Sequence, residues 1–315
     1  VNKNNLWSFL VNESLVEKIN SLKKERNAVI LAHNYQLPEV QDIADFTGDS
    51  LGLSIKAAQT SAEVIVFCGV NFMAETAAII SPQKTVLLPD KNASCPMADM
   101  INADQLRQLK KQYPDALVIC YVNSTAEVKA ECDYCCTSAN AAKLVQTLPK
   151  DKRIVFVPDH HLARFVSQQS GRDLILWPGY CISHAVITAD DILSLKDRYL
   201  DAVVMAHPEC TEPVKELADQ ILSTSQMLNF ARKSSAKTFI IATEVGIIHA
   251  LKKANPNASF IPASEKAVCL NMKKITLEKV LWSLQDMQYR ITVPDEIRTK
   301  AKKALDRMME ILPND

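Results

Sequence analysis

Glycine is scarce in this chain, with six in 315 residues. None of them builds a G-x-G-x-x-G turn or a G-x-x-x-x-G-K-[ST] loop, so dinucleotide and P-loop readings lack support. No G-x-S-x-G elbow occurs, which argues against a serine hydrolase of the α/β type. An excess of one charge is also missing. Lys and Arg number 36, and Asp and Glu number 36, whereas a general nucleic-acid binder carries a basic surplus. Apolar runs are short and separated by polar segments, so no stretch is expected to span a bilayer. The first residues lack the small-residue cleavage site of a secretory signal. Neither nucleic acid nor membrane is expected as a partner. The nine cysteines are an odd number in a long chain, and Cys68 and Cys120 sit inside apolar runs. That usage suits a reduced, cytoplasmic protein better than a disulfide-stapled one.

What is present is a rhythm. Three apolar runs, AVILAHNY, EVIVFCGVNF and TVLLPD, are followed by ALVICYVN, RIVFVPDHH and DLILWPGY, then by AVVMAHPEC, TFIIATEVG and SFIPAS. Continuous apolar character predicts strands buried on both faces. Between them, IADFTGDSLGLSIKAAQ and TAEVKAECDYCCTSANAAKLVQ space their apolar residues as helices do. Strand, helix, strand in this order predicts parallel βαβ units. The first run of each set begins near Ala28, Ala116 and Ala202, spacings of 88 (116 − 28) and 86 (202 − 116). A period that long predicts three small α/β domains. The expected division is 1–104, 105–190 and 191–272, with C-terminal helices over 273–315.

Cysteines keep step with the period. Cys95, Cys181 and Cys269 each follow the third run of a set, 86 (181 − 95) and 88 (269 − 181) residues apart. Ligands of parallel sheets bind beyond the carboxyl ends of the strands, so three domains about a pseudo-threefold axis would bring three thiols to one point. Thiolates suit zinc, copper(I) and iron–sulfur clusters. Structural zinc wants four closely paired ligands, whereas three cysteines on a 4Fe–4S cluster leave one iron open as a Lewis acid. Ordinary buried thiols are the alternative, and the shared phase weighs against it. Cys132, Cys135 and Cys136 in ECDYCC are expected on a helix, as packing residues. Cys68, Cys120 and Cys210 are expected in the core.

Polar groups gather at the same ends. HNY, YVNS and HPE close the first runs, and GDS, CTS and STS stand at expected helix starts, where free amides favour an anion. Each Ser or Thr there also reads as a simple N-cap. Adjacent His160 and His161 are expected to point apart, and His249 to be structural.

Taken together and in order, HNYQLPEVQDIADFTGDSLGLS, CPMADMI, YVNSTAEVKAE, CCTSANA, GYCISH, AHPEC and TEVGI resemble the quinolinate synthase family from about residue 25 to 290. The resemblance implies three similar three-layer αβα sandwich domains with parallel sheets about a pseudo-threefold axis. It implies a 4Fe–4S cluster held by Cys95, Cys181 and Cys269. It implies condensation of iminoaspartate with dihydroxyacetone phosphate to quinolinate, phosphate and water, in the cytoplasm, on the route to NAD. A transient contact with the enzyme that supplies iminoaspartate is a further expected partnership. The implied site comprises His33, Tyr35, Asp49, Ser50, Tyr121, Asn123, Ser138, His184, His207, Glu209, Ser223 and Thr224. Tyr35, Glu209 and His184 are the catalytic candidates. His33, Asn123, Ser138, His207, Ser223 and Thr224 are anchors for carboxylate or phosphate oxygens.

Some family members carry C-x2-C-x2-C at the third cysteine, where this chain has Cys269 alone in SEKAVCLNMKKIT. The ITLEKVLWSL stretch that follows predicts an amphipathic helix with Leu277, Val280, Leu281 and Leu284 on one face, packed on the domains and helping to shut the site. The rival readings are another cluster-dependent dehydratase, which needs no phosphate anchors, and a cluster-based redox sensor, which needs neither Tyr35 nor Glu209.

Overall fold

Helix α1 (Lys3–Glu25) leads into a unit of alternating strands and helices: β1 (Ala28–His33), α2 (Pro38–Ile43), β2 (Phe46–Gly48), α3 (Ser50–Gln59), β3 (Val64–Cys68), α4 (Asn71–Ile80) and β4 (Thr85–Leu87). A 3₁₀ turn (Ala98–Met100) and α5 (Ala103–Gln112) connect to β5 (Leu117–Tyr121), α6 (Ala126–Ala130), β6 (Tyr134–Cys136), α7 (Ala141–Thr147), β7 (Ile154–Val157), α8 (His160–Ser170) and β8 (Ile175–Leu176). After α9 (Ile182–Ala185) and α10 (Ala189–Arg198) the third unit holds β9 (Val203–Ala206), α11 (Glu212–Glu216), β10 (Gln220–Ile221), α12 (Thr224–Lys233), β11 (Thr238–Ala242), α13 (Ile247–Ala254) and β12 (Ser259–Pro262). A second 3₁₀ turn (Met272–Lys274) precedes α14 (Leu277–Asp286) and α15 (Asp295–Glu310). This computed structural model describes the backbone of residues 3–311 and the side chains of residues 13–311.

Three parallel sheets result, each four strands wide and ordered second, first, third, fourth. The protein is therefore α/β, with helices covering the sheets as three αβα sandwiches. The strongly apolar runs supply the centres. Every residue of β3 and of β7 is buried, as expected of strands covered on both faces. In the third sheet Val204 and Ala206 face a small separate core, while the intervening Met205 faces the main one, as strand pleating requires.

The sequence rhythm predicted three strands per set, and the structure has four. Strands β2, β6 and β10 lie inside the two segments read as continuous helices and their counterpart in the third unit. They are two or three residues long and sit on sheet edges. Asp45, Asp133 and Asp219 stand one residue ahead of them. Each carboxylate accepts the amide of Ile30, Val118 or Val204 at 2.7–2.8 Å. Each backbone amide donates to the carbonyl of the same residue at 2.9–3.0 Å. Three aspartates at one phase thus start three edge strands. ECDYCC is corrected accordingly: Cys135 and Cys136 lie in β6, and Cys135 is paired with Cys120 across the sheet. Packing is still what these residues do, and Cys68, Cys120 and Cys210 are buried.

Helix α14 buries Leu277, Val280, Leu281 and Leu284, against α1 and β3. None of its residues lines the central cavity, so it braces the first unit and does not close the site. Helix α15 buries Ala301, Ala304, Leu305 and Met308 against α6, β6 and α4. Among the described residues no helix is long and apolar enough to cross a membrane.

Candidate active site

The carboxyl ends of the three sheets meet around a central cavity, the place where ligands of parallel sheets bind. The repeat delivers equivalent positions to it. His33, Tyr121 and His207 are 88 (121 − 33) and 86 (207 − 121) residues apart, and Tyr35, Asn123 and Glu209 follow two residues later in each unit. All six line the cavity. Asp49 and Ser50, Ser138, and Thr224 come from the segments after the edge strands and line it too. His184 enters from α9, one turn beyond Cys181. Ser223 is not among the lining residues. It is the N-cap of α12, its hydroxyl accepting the Gln226 amide at 3.4 Å, so the capping reading describes it. Asp49 caps α3 through Gly52 N at 2.8 Å and faces the cavity as well.

Glu209 is the hub of a buried polar network. Its Oε2 lies 2.9 Å from His184 Nδ1 and 3.4 Å from His207 Nδ1, and its Oε1 accepts Asn123 Nδ2 at 3.4 Å. The two imidazoles stack with centroids 4.7 Å apart. From His184 Nε2 the chain continues to Thr243 Oγ1 at 2.8 Å, and from there to the Tyr35 hydroxyl at 2.6 Å. On the other side His207 Nε2 meets Ser138 Oγ at 3.3 Å. A chain of close polar contacts thus runs from Tyr35 to Ser138 past the carboxylate, and its 2.9 Å link between His184 Nδ1 and Glu209 is a close approach without hydrogen-bond alignment.

Burial and charge set the protonation states. Burial opposes ionisation of Glu209, but the charges and hydrogen bonds of His184 and His207 outweigh it and hold the carboxyl below its usual range. Burial, joined by the Glu209 charge, pushes the Tyr35 and Tyr121 phenols well above theirs. Burial lowers His33 to about 3, with His207 adding to the shift. It lowers His207 also, against the pull of Glu209. At neutral pH the site therefore pairs one carboxylate with neutral phenols and with a neutral His33.

The three phased cysteines line the same cavity. Each begins a helical turn, with its carbonyl accepting the amide four residues on: Asp99 at 3.3 Å, Ala185 at 3.0 Å and Lys273 at 3.2 Å. The backbone amides three residues on, of Ala98, His184 and Met272, favour the ionised form of each sulfur but do not offset its burial. Burial pushes Cys95 up to about 12 and raises Cys181 and Cys269, so the thiols stay neutral until a metal deprotonates them. No fourth cysteine lines this cavity among the described residues. The donor set fits a cluster held by three thiolates and does not fit four-coordinate structural zinc. Sγ of Cys181 also lies within 4.8 Å of ligand atoms of His184 and Glu209. His184 Nε2 and Glu209 Oε1 are engaged by Thr243 and Asn123, while His184 Nδ1 makes no aligned hydrogen bond despite its 2.9 Å approach to Glu209.

Some residues in or beside the cavity had no role in the sequence reading, Thr243 standing behind its lining. Thr243 and Glu244 follow β11 in the TEVGI stretch. Thr243 joins the network. Glu244 accepts Cys269 N at 3.0 Å and Gly246 N at 2.7 Å, and pairs with Lys273 at 2.9 Å. Val70, Phe72 and Met73 form an apolar wall. Their position just past a strand end was the available signal. His160 and His161 do not point apart. Their rings sit 3.9 Å apart at the start of α8, outside the cavity lining. His249 pairs with Asp42 at 2.6 Å.

Comparison with known proteins agrees with this geometry. The family described as quinolinate synthetase A protein matches residues 17–310. A quinolinate synthase of Dehalococcoides mccartyi (strain CBDB1) is 56% identical over 300 residues, 95% of this chain and 99% of its own length. Those of Geobacter metallireducens and Methanosarcina barkeri are 53% and 52% identical over 303 and 297 residues. They cover 96% and 94% of this chain, and 99% and 97% of their own.

Proposed function

Since the chain belongs to the quinolinate synthase family, we propose that its central cavity condenses iminoaspartate with dihydroxyacetone phosphate. Phosphate and water leave and the pyridine ring of quinolinate closes, a transferase-type step in NAD biosynthesis. The observation that carries this reading is the convergence of three phased cysteines and a ring of hydrogen-bond donors on one cavity. The three units, divided after residues 104, 190 and 272, each supply one thiol. Cys95, Cys181 and Cys269 would hold a 4Fe–4S cluster, which when bound supplies Lewis-acid chemistry at the iron that lacks a thiolate.

The chain's own groups do the rest. His33, Asn123, Ser138, His207 and Thr224 offer donors to carboxylate and phosphate oxygens, with Ser50 and Tyr121 beside them and Ser223 holding Thr224 in place as the cap of α12. Asp49 fixes the start of α3 at the rim. Glu209, ionised and held between two imidazoles, accepts a proton from substrate and hands it to His184. Tyr35 returns a proton through Thr243, because its phenol is kept protonated. The wall of Val70, Phe72 and Met73 keeps water from the imine. An imine that hydrolyses readily suits delivery by transient contact with the enzyme that makes it, in the cytoplasm.

The test is quinolinate formation by anaerobically reconstituted protein given dihydroxyacetone phosphate and freshly generated iminoaspartate, beside apoprotein. Quinolinate from the cluster-loaded sample alone is the expected result. A sample shown to hold its cluster that makes none refutes the reaction.

A further inference from the structure

Three side chains outside the cavity occupy a single place in the repeat. Gln41 in α2, Lys129 in α6 and Lys215 in α11 are 88 (129 − 41) and 86 (215 − 129) residues apart. All three are buried, with exposures of 5%, 0% and 5%. Each donates in two directions. Within its own unit it holds the loop after the first strand. Gln41 Nε2 reaches Asn34 O at 3.2 Å and Gln36 O at 2.9 Å, Lys129 Nζ reaches Ser124 O at 2.7 Å, and Lys215 Nζ reaches Pro208 O at 3.4 Å. Across a unit boundary it holds the start of a helix. Gln41 donates to Gly246 O at 3.0 Å, at the head of α13. Lys129 donates to Phe72 O at 3.3 Å, in the first turn of α4, and Lys215 to His161 O at 2.8 Å, in the first turn of α8. Unit one grips unit three, unit two grips unit one, and unit three grips unit two. The ring is closed.

The gripped loops are those that present Tyr35, Asn123 and Glu209. Asn34 and Gln36 flank Tyr35, Ser124 follows Asn123, and Pro208 precedes Glu209. We propose that Gln41, Lys129 and Lys215 are positioning residues, a ring of latches that sets the three cavity loops by fastening each to the next unit. One amide and two ammonium groups do the same geometric work, so the shared requirement is a donor with two acceptors and not a charge. The lysines bring local compensation for burial: Glu212 lies 2.7 Å from Lys215, and the Lys129 ammonium sits 5.3 Å from the centre of the Phe72 ring. Gly246 shows how closely the units approach, since a β-carbon there would lie 2.8 Å from the Tyr35 carbonyl oxygen.

The catalytic weight of these loops rests on the proposed reaction, whereas the latches themselves do not. Gln41→Met, Lys129→Met and Lys215→Met keep side-chain bulk and remove the donor. Hydrogen exchange on the full-length apoprotein then reads the amides of Gln36, Ser124 and Cys210, which bond inside the three loops. Each variant is expected to speed exchange about tenfold in its own loop and at the helix start it gripped, leaving the central strands protected. In the reconstituted protein each variant is expected to lower kcat with KM little changed and iron content intact. Gln41→Met alters no charge and carries the test if a lysine variant does not fold. Wild-type exchange in the folded variants overturns the latch, whatever the activity assay gives. Faster exchange with kcat and KM both unchanged overturns the positioning role. Faster exchange in a protein whose wild type makes no quinolinate keeps the latch and removes the reaction.

Discussion

Acid should loosen this protein through His33 before its carboxylates are neutralised. His33 is buried, and burial with the neighbouring His207 lowers its pKa from 6.5 to about 3. Unfolding frees the imidazole to take a proton that the folded state refuses. Below pH 6.5 the unfolded state therefore binds more protons, and stability falls as pH drops toward 3, while above 6.5 the contribution is fully present. Between pH 7 and pH 5 the loss from this one side chain works out at about 2 kcal/mol, and across the whole window at nearly 5 kcal/mol. His33→Asn keeps an acceptor where His33 Nδ1 takes the Tyr35 amide at 3.2 Å and removes the titration. Urea unfolding of the apoprotein at both pH values measures the difference. Wild type should lose at least about 2 kcal/mol more than His33→Asn on going from pH 7 to pH 5. Equal losses in the two proteins refute the reasoning.

Other outcomes follow from the same geometry. Glu209→Gln should lower turnover by about 10²–10⁴ while iron and sulfide content stay at wild-type values; retained turnover counts against its role as proton acceptor. Cys95→Ala, Cys181→Ala and Cys269→Ala should each abolish the visible absorption of the reconstituted cluster. Cys135→Ala, altering a buried strand residue away from the cavity, should leave it, and loss of absorption there overturns the ligand assignment. Gly179→Ala would place a β-carbon 2.5 Å from the Pro158 carbonyl oxygen. It should cost about 1–3 kcal/mol, read as a lowered thermal midpoint, and an unchanged midpoint would show that the 158–179 contact yields more freely than its backbone suggests.

The central strands were legible because hydropathy alone writes them. VIVFC and IVFV are apolar at every position, and β3 and β7 are buried at every position. The edge strands were not, since FTG and QI carry no such pattern and depend on an aspartate clasping a strand fifteen residues earlier. That clasp is a long-range hydrogen bond, and hydropathy is blind to it. The cysteines could be read because phase survives folding: a residue at one place in the repeat reaches one place around the axis. Thr243 and Glu244 obey the same rule, at the end of β11, but in no matching set of three. The close approach of His160 and His161 could not be read, because it depends on the turn that opens α8, where His160 Nδ1 lies 2.8 Å from Gly179 O.

Helix α15 ties together parts of the chain made at very different times. Asn140 Nδ2 donates to the carbonyls of Met308 and Ile311, 168 and 171 residues away, and the same helix packs against α4 in the first unit. During synthesis Asn140 is made long before these acceptors. Units one and two must therefore meet, and wait, without the strap that later spans them. A chain that has grown just past Cys269 would already carry all three phased cysteines, yet would hold the first two units by their mutual interface alone. The outside of the assembly is fastened later than any one unit is made.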